Sequence, residues 1–194
     1  MPTQEKLVFM TDGVVNLRPV LKEDIPFLLL AINDPSVRCN LSSYLPMMEE
    51  DQEKWFKKIC ENKQTDIVFA IEVQGKIIGD MGIHRIDWKN RTGTTGAVIK
   101  DTEHRGKGYG TRAKMLLLNY AFYECNLHKV CSSALAFNTA SLRFNEKCGY
   151  KTEGVLKSHI YRAGECHDMI ITAVFREDFY TLWEAHKEKY GIVL

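Results

Sequence analysis

Residues 103–122 read EHRGKGYGTRAKMLLLNYAF, and the fold turns on how this stretch is read. Gly106, Gly108 and Gly110 alternate with Lys107 and Tyr109, and a strong helical pattern follows at once. Glycine lets a backbone curl tightly and lets a ligand come close. Placed directly before a helix, such a loop turns its amides toward one point at the positive end of the helix dipole. Arg105, Lys107, Arg112 and Lys114 add positive charge, and no acid falls within residues 104–114. A diphosphate is the natural guest. A glycine-rich turn with a solvated basic face is the plain alternative.

Three kinds of phosphate loop can be compared with it. GxxxxGK[ST], the Walker A pattern, is absent. The dinucleotide fingerprint GxGxxG does not fit, because the spacing here is GxGxG and no second strand tip lies about 20 residues on. The pattern [RQ]xxGx[GA] between a strand and a helix is matched in full by Arg105-Gly106-Lys107-Gly108-Tyr109-Gly110.

Outward from the loop, TGTTGAVIKD (92–101) predicts a strand and residues 109–126 a helix. Arg112, Asn119 and Asn126 mark its polar face, and Ala113, Leu116, Leu117, Tyr120 and Ala121 its buried face. KVCSSALA (129–136) predicts the next strand. A strand–helix–strand unit of this kind makes its two strands parallel. Upstream, the expected elements are a strand at 14–20, a helix at 21–34, an irregular connection at 35–48 and a helix at 49–62. DIVFAIEV and KIIGDMGIHRID follow as strands around a QG turn. Downstream come a short helix from Asn138 or Thr139 ended by Gly149, a hairpin around RAGE, and a closing helix from Arg176. The class is α+β, a mixed sheet with helices on it, in a single domain spanning 1–194.

The 194 residues suffice for one domain with a real core. A net charge of +1 supplies no field for nucleic acid or an anionic membrane. Apolar runs are too short for a membrane span, and MPTQEKLVFMTDG lacks the apolar region of a signal peptide. The six scattered cysteines, with no CxxC pair and no metal spacing, read as reduced, mostly buried thiols of a cytoplasmic protein. No metal site is expected.

The loop, the strand GAVIKD before it and NLHKVCSSALAFNTASLRFNEKCGYKTEG after it resemble the GNAT superfamily of acetyl-CoA-dependent N-acetyltransferases. Within it, the chain looks like the RimJ/RimL and spermidine acetyltransferase branch. The resemblance runs from NLRPVLKEDIPFLLLAINDP (16–35) to CHDMIITAVFRED (166–178). It implies a mostly antiparallel sheet with one splayed parallel pair and helices on both faces. Coenzyme A would lie in the splay, its pantetheine against the backbone of Val98, Ile99 and Lys100. The amides of Arg105, Gly106, Lys107, Gly108, Tyr109, Gly110 and Thr111 would hold the diphosphate. Asn138 would hydrogen-bond the cofactor, and residues 145–147, with Asn145 and Lys147, would flank its thiol arm.

The resemblance also implies direct transfer to an amine, with a backbone N–H stabilising the oxyanion. Many relatives carry a Tyr at the position of Asn145 as acid to the leaving thiolate, and an amide is a poor acid. Ser141 is the nearest replacement, with a first-turn structural role as its alternative. His159 is a candidate base, with a plain surface histidine as its alternative. Glu103, Asp168, Asp80, Asp87 and His84 are weaker candidates. The acceptor pocket should involve residues 35–48, with Arg38, Asn40, Ser42, Tyr44 and Met47, and the 158–167 hairpin. Glu49, Glu50, Asp51 and Glu53 are explained by a helix N-terminus without a ligand. A protein N-terminus or small monoamine therefore leads over a polyamine or aminoglycoside. A CoA-binding module without catalysis is the rival class. A homodimer is common among such relatives, though no stretch marks an interface.

Overall fold

The computed structural model describes residues 7–62, 64–100 and 106–192. Two short strands, β1 (Met10–Thr11) and β2 (Val15–Pro19), lead into helices α1 (Ile25–Asn33), α2 (Pro35–Arg38) and α3 (Glu49–Glu61). Strands β3 (Ile67–Val73), β4 (Lys76–Asp87) and β5 (Thr92–Ile99) follow. Helix α4 (Tyr109–Asn119), strand β6 (Lys129–Leu135), helix α5 (Thr139–Lys147), strands β7 (Lys151–Arg162) and β8 (Glu165–Phe175) and helix α6 (Arg176–Tyr190) complete the chain. One eight-stranded sheet runs β1-β2-β3-β4-β5-β6-β8-β7.

The two tight hairpins follow from backbone chemistry. Gln74 and Gly75 join β3 to β4 with φ of 51° and 76°, and Ala163 and Gly164 join β7 to β8 with φ of 53° and 90°. Paired positive φ values are the mark of the two-residue turn whose twist suits flanking strands. Every other neighbouring pair is antiparallel as well, except β5 with β6.

Several boundaries differ from the sequence reading. Residues 22–24 form a 3-10 turn, and α1 starts only at Ile25. Asp24 is occupied elsewhere: its carboxylate accepts from Arg18 at 2.7 and 2.9 Å, and Arg18 Nε also donates to Glu72 at 2.7 Å. This buried cluster ties β2 and β3 to the start of α1. Residues 35–48 are not wholly irregular, because Pro35 opens α2 and Asp34 accepts from the Ser36 amide at 2.9 Å. Proline at the first helical position loses no needed donor, so it starts a helix as readily as it stops one. The expected 109–126 helix ends at Asn119 and continues as a π turn over Tyr120–Glu124. Only Cys148 among the six cysteines is buried, while Cys39, Cys60 and Cys166 are exposed and all are free.

Helix α4 is buried along its whole middle, from Ala113 through Leu118, rather than on one face. It packs on β2 and β4 beneath and meets α5 and α6 above. The main core lies on this side of the sheet and includes Leu17, Ile71, Met81, Ile83, Leu117, Phe122, Val130 and Trp183. A smaller cluster on the opposite face sets Val20, Leu28 and Ala70 against Trp55 and Phe56 of α3.

The parallel pair decides where a ligand can enter. β5 and β6 share only three rows, Thr92 with Lys129, Gly93 with Val130 and Thr94 with Cys131. β5 then follows β4 as far as Ile99, and β6 follows β8 as far as Leu135. Beyond Thr94 and Cys131 the two strands part. Tyr150 and Thr95, both buried, sit at the apex. The Thr95 hydroxyl donates to the Cys131 carbonyl at 3.3 Å, so the Tyr150 hydroxyl donates to Thr95 at 2.8 Å. On the other side of β5, a Cβ at Gly79 would collide with the Val98 carbonyl oxygen.

Gly79→Ala is therefore expected to lower stability by about 1–3 kcal/mol, the range for forced overpacking. Gly154→Ala, where a Cβ meets nothing within 4 Å, should stay within about 0.5 kcal/mol. Chemical denaturation of both variants checks this. Equal effects would show that β5 tolerates a side chain at the close approach.

Candidate active site

The helix at the mouth of the gap has a bare N-terminus. Gly108 caps α4 with φ of 81°, and Gly106 has φ of 77°. Neither glycine is crowded by packing. The left-handed backbone itself is what favours glycine there. Arg112 makes the first intrahelical bond, to the Gly108 carbonyl at 3.0 Å. The amides of Gly110 and Thr111 precede it and have no acceptor among the described residues. No acid stands in this first turn. A Cβ on Gly110 would come within 2.9 Å of Ile99 Cδ1. That close approach sets the helix N-terminus against the end of β5, at the opening between β5 and β6. Arg105 and Glu103 lie outside the described residues; Lys107 is exposed, and Tyr109 and Thr111 are half-buried.

Val98, Ile99 and Lys100 are half-buried along the parting edge. The Lys100 amide is already committed to the Ile78 carbonyl at 3.1 Å. Alternation along an antiparallel pair then turns the Ile99 N–H and C=O toward the gap. Across the gap, Asn138 caps α5, its side-chain oxygen accepting from the Ser141 amide at 3.0 Å. The Ser141 hydroxyl makes no hydrogen bond among the described residues, and Lys147 is exposed near the end of α5.

Asn145 occupies a different environment from these neighbours. It is 1% exposed. Its oxygen accepts from Lys114 Nζ at 2.5 Å, and its nitrogen donates to Ser132 Oγ at 3.2 Å. Lys114 is itself buried, with its ammonium 4.5 Å from the ring centres of both Phe144 and Tyr150. Burial pulls the Lys114 amine down to about 8, and burial pushes the Cys148 thiol up to about 11. The structure thus joins α4, α5 and β6 through one buried amide and one buried amine. Sequence reading counted Lys114 only as part of a basic loop. The signal was present in AKMLLLN, where a lone charge is embedded in an apolar run.

His159 lies elsewhere, exposed on β7 beside a bulge between Leu156 and Ile160. It lines a cleft of about 520 Å³ with Arg38, Ser42, Tyr44, Tyr161 and Arg162. A second cleft of about 390 Å³ adjoins it, bounded by Pro35, Arg38, Cys39, Phe137, Arg162 and His167. Arg162 holds the two walls together by donating to the carbonyls of Arg38, Leu41 and Ser43. Asp168 is spent on Lys157 at 2.8 Å and on the Ser158 amide at 2.9 Å.

Residues 15–151 match the family model described as "Acetyltransferase (GNAT) domain". The chain is 28% identical over 174 residues to an SPbeta prophage-derived uncharacterized N-acetyltransferase of Bacillus subtilis, covering 89% of this chain and 96% of that one. Among solved structures, a spermidine N-acetyltransferase from Vibrio cholerae in complex with CoA and spermine superposes with a TM-score of 0.80 at 21% identity, over 86% of this chain and 98% of that one. RimJ of Mycobacterium smegmatis in complex with CoA-disulfide gives 0.79 at 20% identity, over 93% and 90%. The chain belongs to the GNAT family of N-acetyltransferases.

The buried amine has a measurable consequence. Its ordinary value is 10.5 and its folded value about 8. The unfolded chain therefore binds the extra proton between those limits, and stability should rise with pH across that window, by on the order of 3 kcal/mol in total. Below about pH 8 both states are protonated and this contribution is flat. Lys114→Met should remove the rise while leaving the rest of the pH profile in place. Denaturation curves for both proteins between pH 7.5 and about 10.5 test it; parallel profiles would show that Lys114 is solvated.

Proposed function

We propose that the protein transfers the acetyl group of acetyl-CoA to a primary amine by direct attack in a ternary complex, as one domain over its whole length. The observation that carries this reading is the parting of β5 and β6 with the acid-free N-terminus of α4 at its mouth. The residues fit the donor. The first turn of α4 offers the amides of Gly110 and Thr111 to a diphosphate, and the turned-out Ile99 backbone offers an edge to an amide-containing arm. Coenzyme A supplies a thioester carbonyl activated toward nitrogen. The remaining work falls to this chain: holding the diphosphate, aligning the arm with β5 and exposing the carbonyl to the acceptor. Val98 and Lys100 flank the Ile99 edge, Asn138 stands across the gap, and Lys107 supplies charge at the loop.

The clefts support one class of acceptor over another. Their lining carries Arg38, Arg162, His159 and His167, with Tyr44, Tyr161 and Phe137, and no Asp or Glu among the described residues. A polycation gains nothing from such walls, whereas a peptide N-terminus, with its carbonyls, or a monoamine fits them. The Vibrio cholerae neighbour binds spermine in its crystal; this chain is read as acting on a protein N-terminus or small monoamine in the cytoplasm. Free cysteines at three exposed positions suit a reducing compartment. Asn145, with both ends of its amide occupied, holds Lys114 and Ser132 in place. Ser141, whose hydroxyl has no hydrogen bond among the described residues, is the proton donor to the departing thiolate. A second reading, a CoA-binding module without turnover, draws on the same commitment of Asn145.

Gly108→Asp places a carboxylate at the diphosphate loop and should weaken acetyl-CoA binding at least 10-fold, on the order of 1.4 kcal/mol or more. Calorimetric titration measures it, and an unchanged affinity would remove the loop from the site. Thiol release against a panel of peptides, monoamines and spermidine should rank peptides or monoamines first. Spermidine as the best acceptor would overturn the acceptor class, and tight acetyl-CoA binding with no turnover would favour the module.

A further inference from the structure

A histidine and an aspartate that the reading above does not use meet on the face of the sheet opposite α4. β4 and β5 are in register at Asp80 with Val98, Gly82 with Gly96 and His84 with Thr94. These rows share the face opposite α4. His84 therefore stands at the last row where β5 still pairs with β6, and Gly96 is beyond it. His84 Nε2 lies 3.1 Å from where a Cβ on Gly82 would be and 3.5 Å from where a Cβ on Gly96 would be. The imidazole thus lies over a floor of two glycines and overhangs the apex of the gap. A Cβ on Gly82 would crowd this ring, whereas one on Gly96 would only touch it.

The other nitrogen is held. His84 Nδ1 is 2.9 Å from Asp66 Oδ1, with the two side chains 34% and 18% exposed. Burial works against the charge on Asp66. Hydrogen bonds from Thr65 and His84 outweigh it and keep the carboxyl below its usual range. A carboxylate can only accept, so Nδ1 carries the hydrogen and Nε2 keeps its lone pair in the neutral ring. That is how a carboxylate readies an imidazole to take a proton. The other groups around the pair are Lys58 of α3, near Asp66, and Asp80 on the same face of β4. Beyond Thr94 stands Cys131, with Lys129, Glu153 and Arg85 around it.

Resting on the acetyl-transfer reading, we infer that His84 Nε2 is the base that frees the acceptor amine at the apex of the gap, and that Asp66 positions it. Nε2 accepts one proton from the acceptor's ammonium. The freed lone pair forms the C–N bond at the thioester carbonyl carbon. The C–S bond breaks and the sulfur leaves with its electron pair. The Ser141 hydroxyl gives its proton to the sulfur and takes up the surplus proton on nitrogen, and His84 returns its own to solvent. His84 can reach water, whereas the Asp80 carboxyl, pushed up to about 7 by burial, sits at the Val98 row away from the apex.

Nitrogen-15 resonances of the imidazoles in the full chain, assigned by loss in His84→Ala, test this with and without acetyl-CoA. Neutral His84 should be the Nδ1–H tautomer and should shift when acetyl-CoA is added. Asp66→Asn should weaken that tautomer preference, because the carboxylate is what holds the hydrogen on Nδ1. His84→Ala should bind acetyl-CoA as tightly as the wild type. With the fastest amine of the panel its thiol release should fall on the order of 10²-fold near pH 7. The loss should shrink as pH rises toward the amine's own pKa and when free imidazole is added. In Asp66→Asn thiol release should fall while acetyl-CoA binding stays as in the wild type. The Nε2–H tautomer, or resonances indifferent to acetyl-CoA that binds, would overturn the proposal. So would a wild-type rate in His84→Ala, or an acid limb that disappears in Asp80→Asn instead. Failure of wild-type protein to bind acetyl-CoA at all would instead sink the transfer reading, and this inference with it.

Discussion

Everything in this structure depends on two parallel strands that stop pairing after three rows. An unpaired stretch of strand edge inside a sheet leaves backbone donors and acceptors unmet. The chain accepts that cost between Thr95 and Ile99 on one side and beyond Cys131 on the other. The apex is closed by side chains, with Tyr150 donating to Thr95 and Thr95 to the Cys131 carbonyl. The result is a slot with polar edges, sized by the divergence of two strands that are each well paired on their outer sides.

A sheet joined across only three rows needs another tie, and α4 provides it. This explains why the helix is buried on all sides between Ala113 and Leu118. It rests on β2 and β4 of one half and meets α5 and α6 of the other. Lys114, Asn145 and Ser132 add a polar bond between the two halves. Such a buried set is worth little as raw stability, but it admits few alternative arrangements. The same helix presents its N-terminus to the slot, so the element that holds the halves together also builds the phosphate end of the site.

Much of this was legible in the sequence. The glycine loop, the parallel pair around it, the two hairpin turns and the α+β class follow from short-range chemistry in residues 74–75, 92–110 and 163–164. What escaped was set by tertiary context. Arg18 holds Asp24 in a buried ion pair, and the helix expected from residue 21 starts only at Ile25. Pro35 opens a helix inside the stretch expected to be irregular. Amphipathic reading placed one face of α4 in the core, because a single helix cannot reveal that a second layer covers its back. Asn145 and Lys114 are 31 positions apart and face each other only after the strand between them folds. His84 was set aside among several polar residues of β4. Its pairing with Asp66, 18 positions away, and the glycine floor beneath it are products of strand register.

The central claim is that the parted edge of β5 and the start of α4 form one binding surface for acetyl-CoA. Hydrogen exchange of the full chain, measured by peptide with and without saturating acetyl-CoA, tests it most directly. The account predicts new protection confined to peptides spanning 96–100 and 106–112, with the distal β7–β8 hairpin unchanged. Binding that protects the hairpin and leaves those two segments untouched would contradict it.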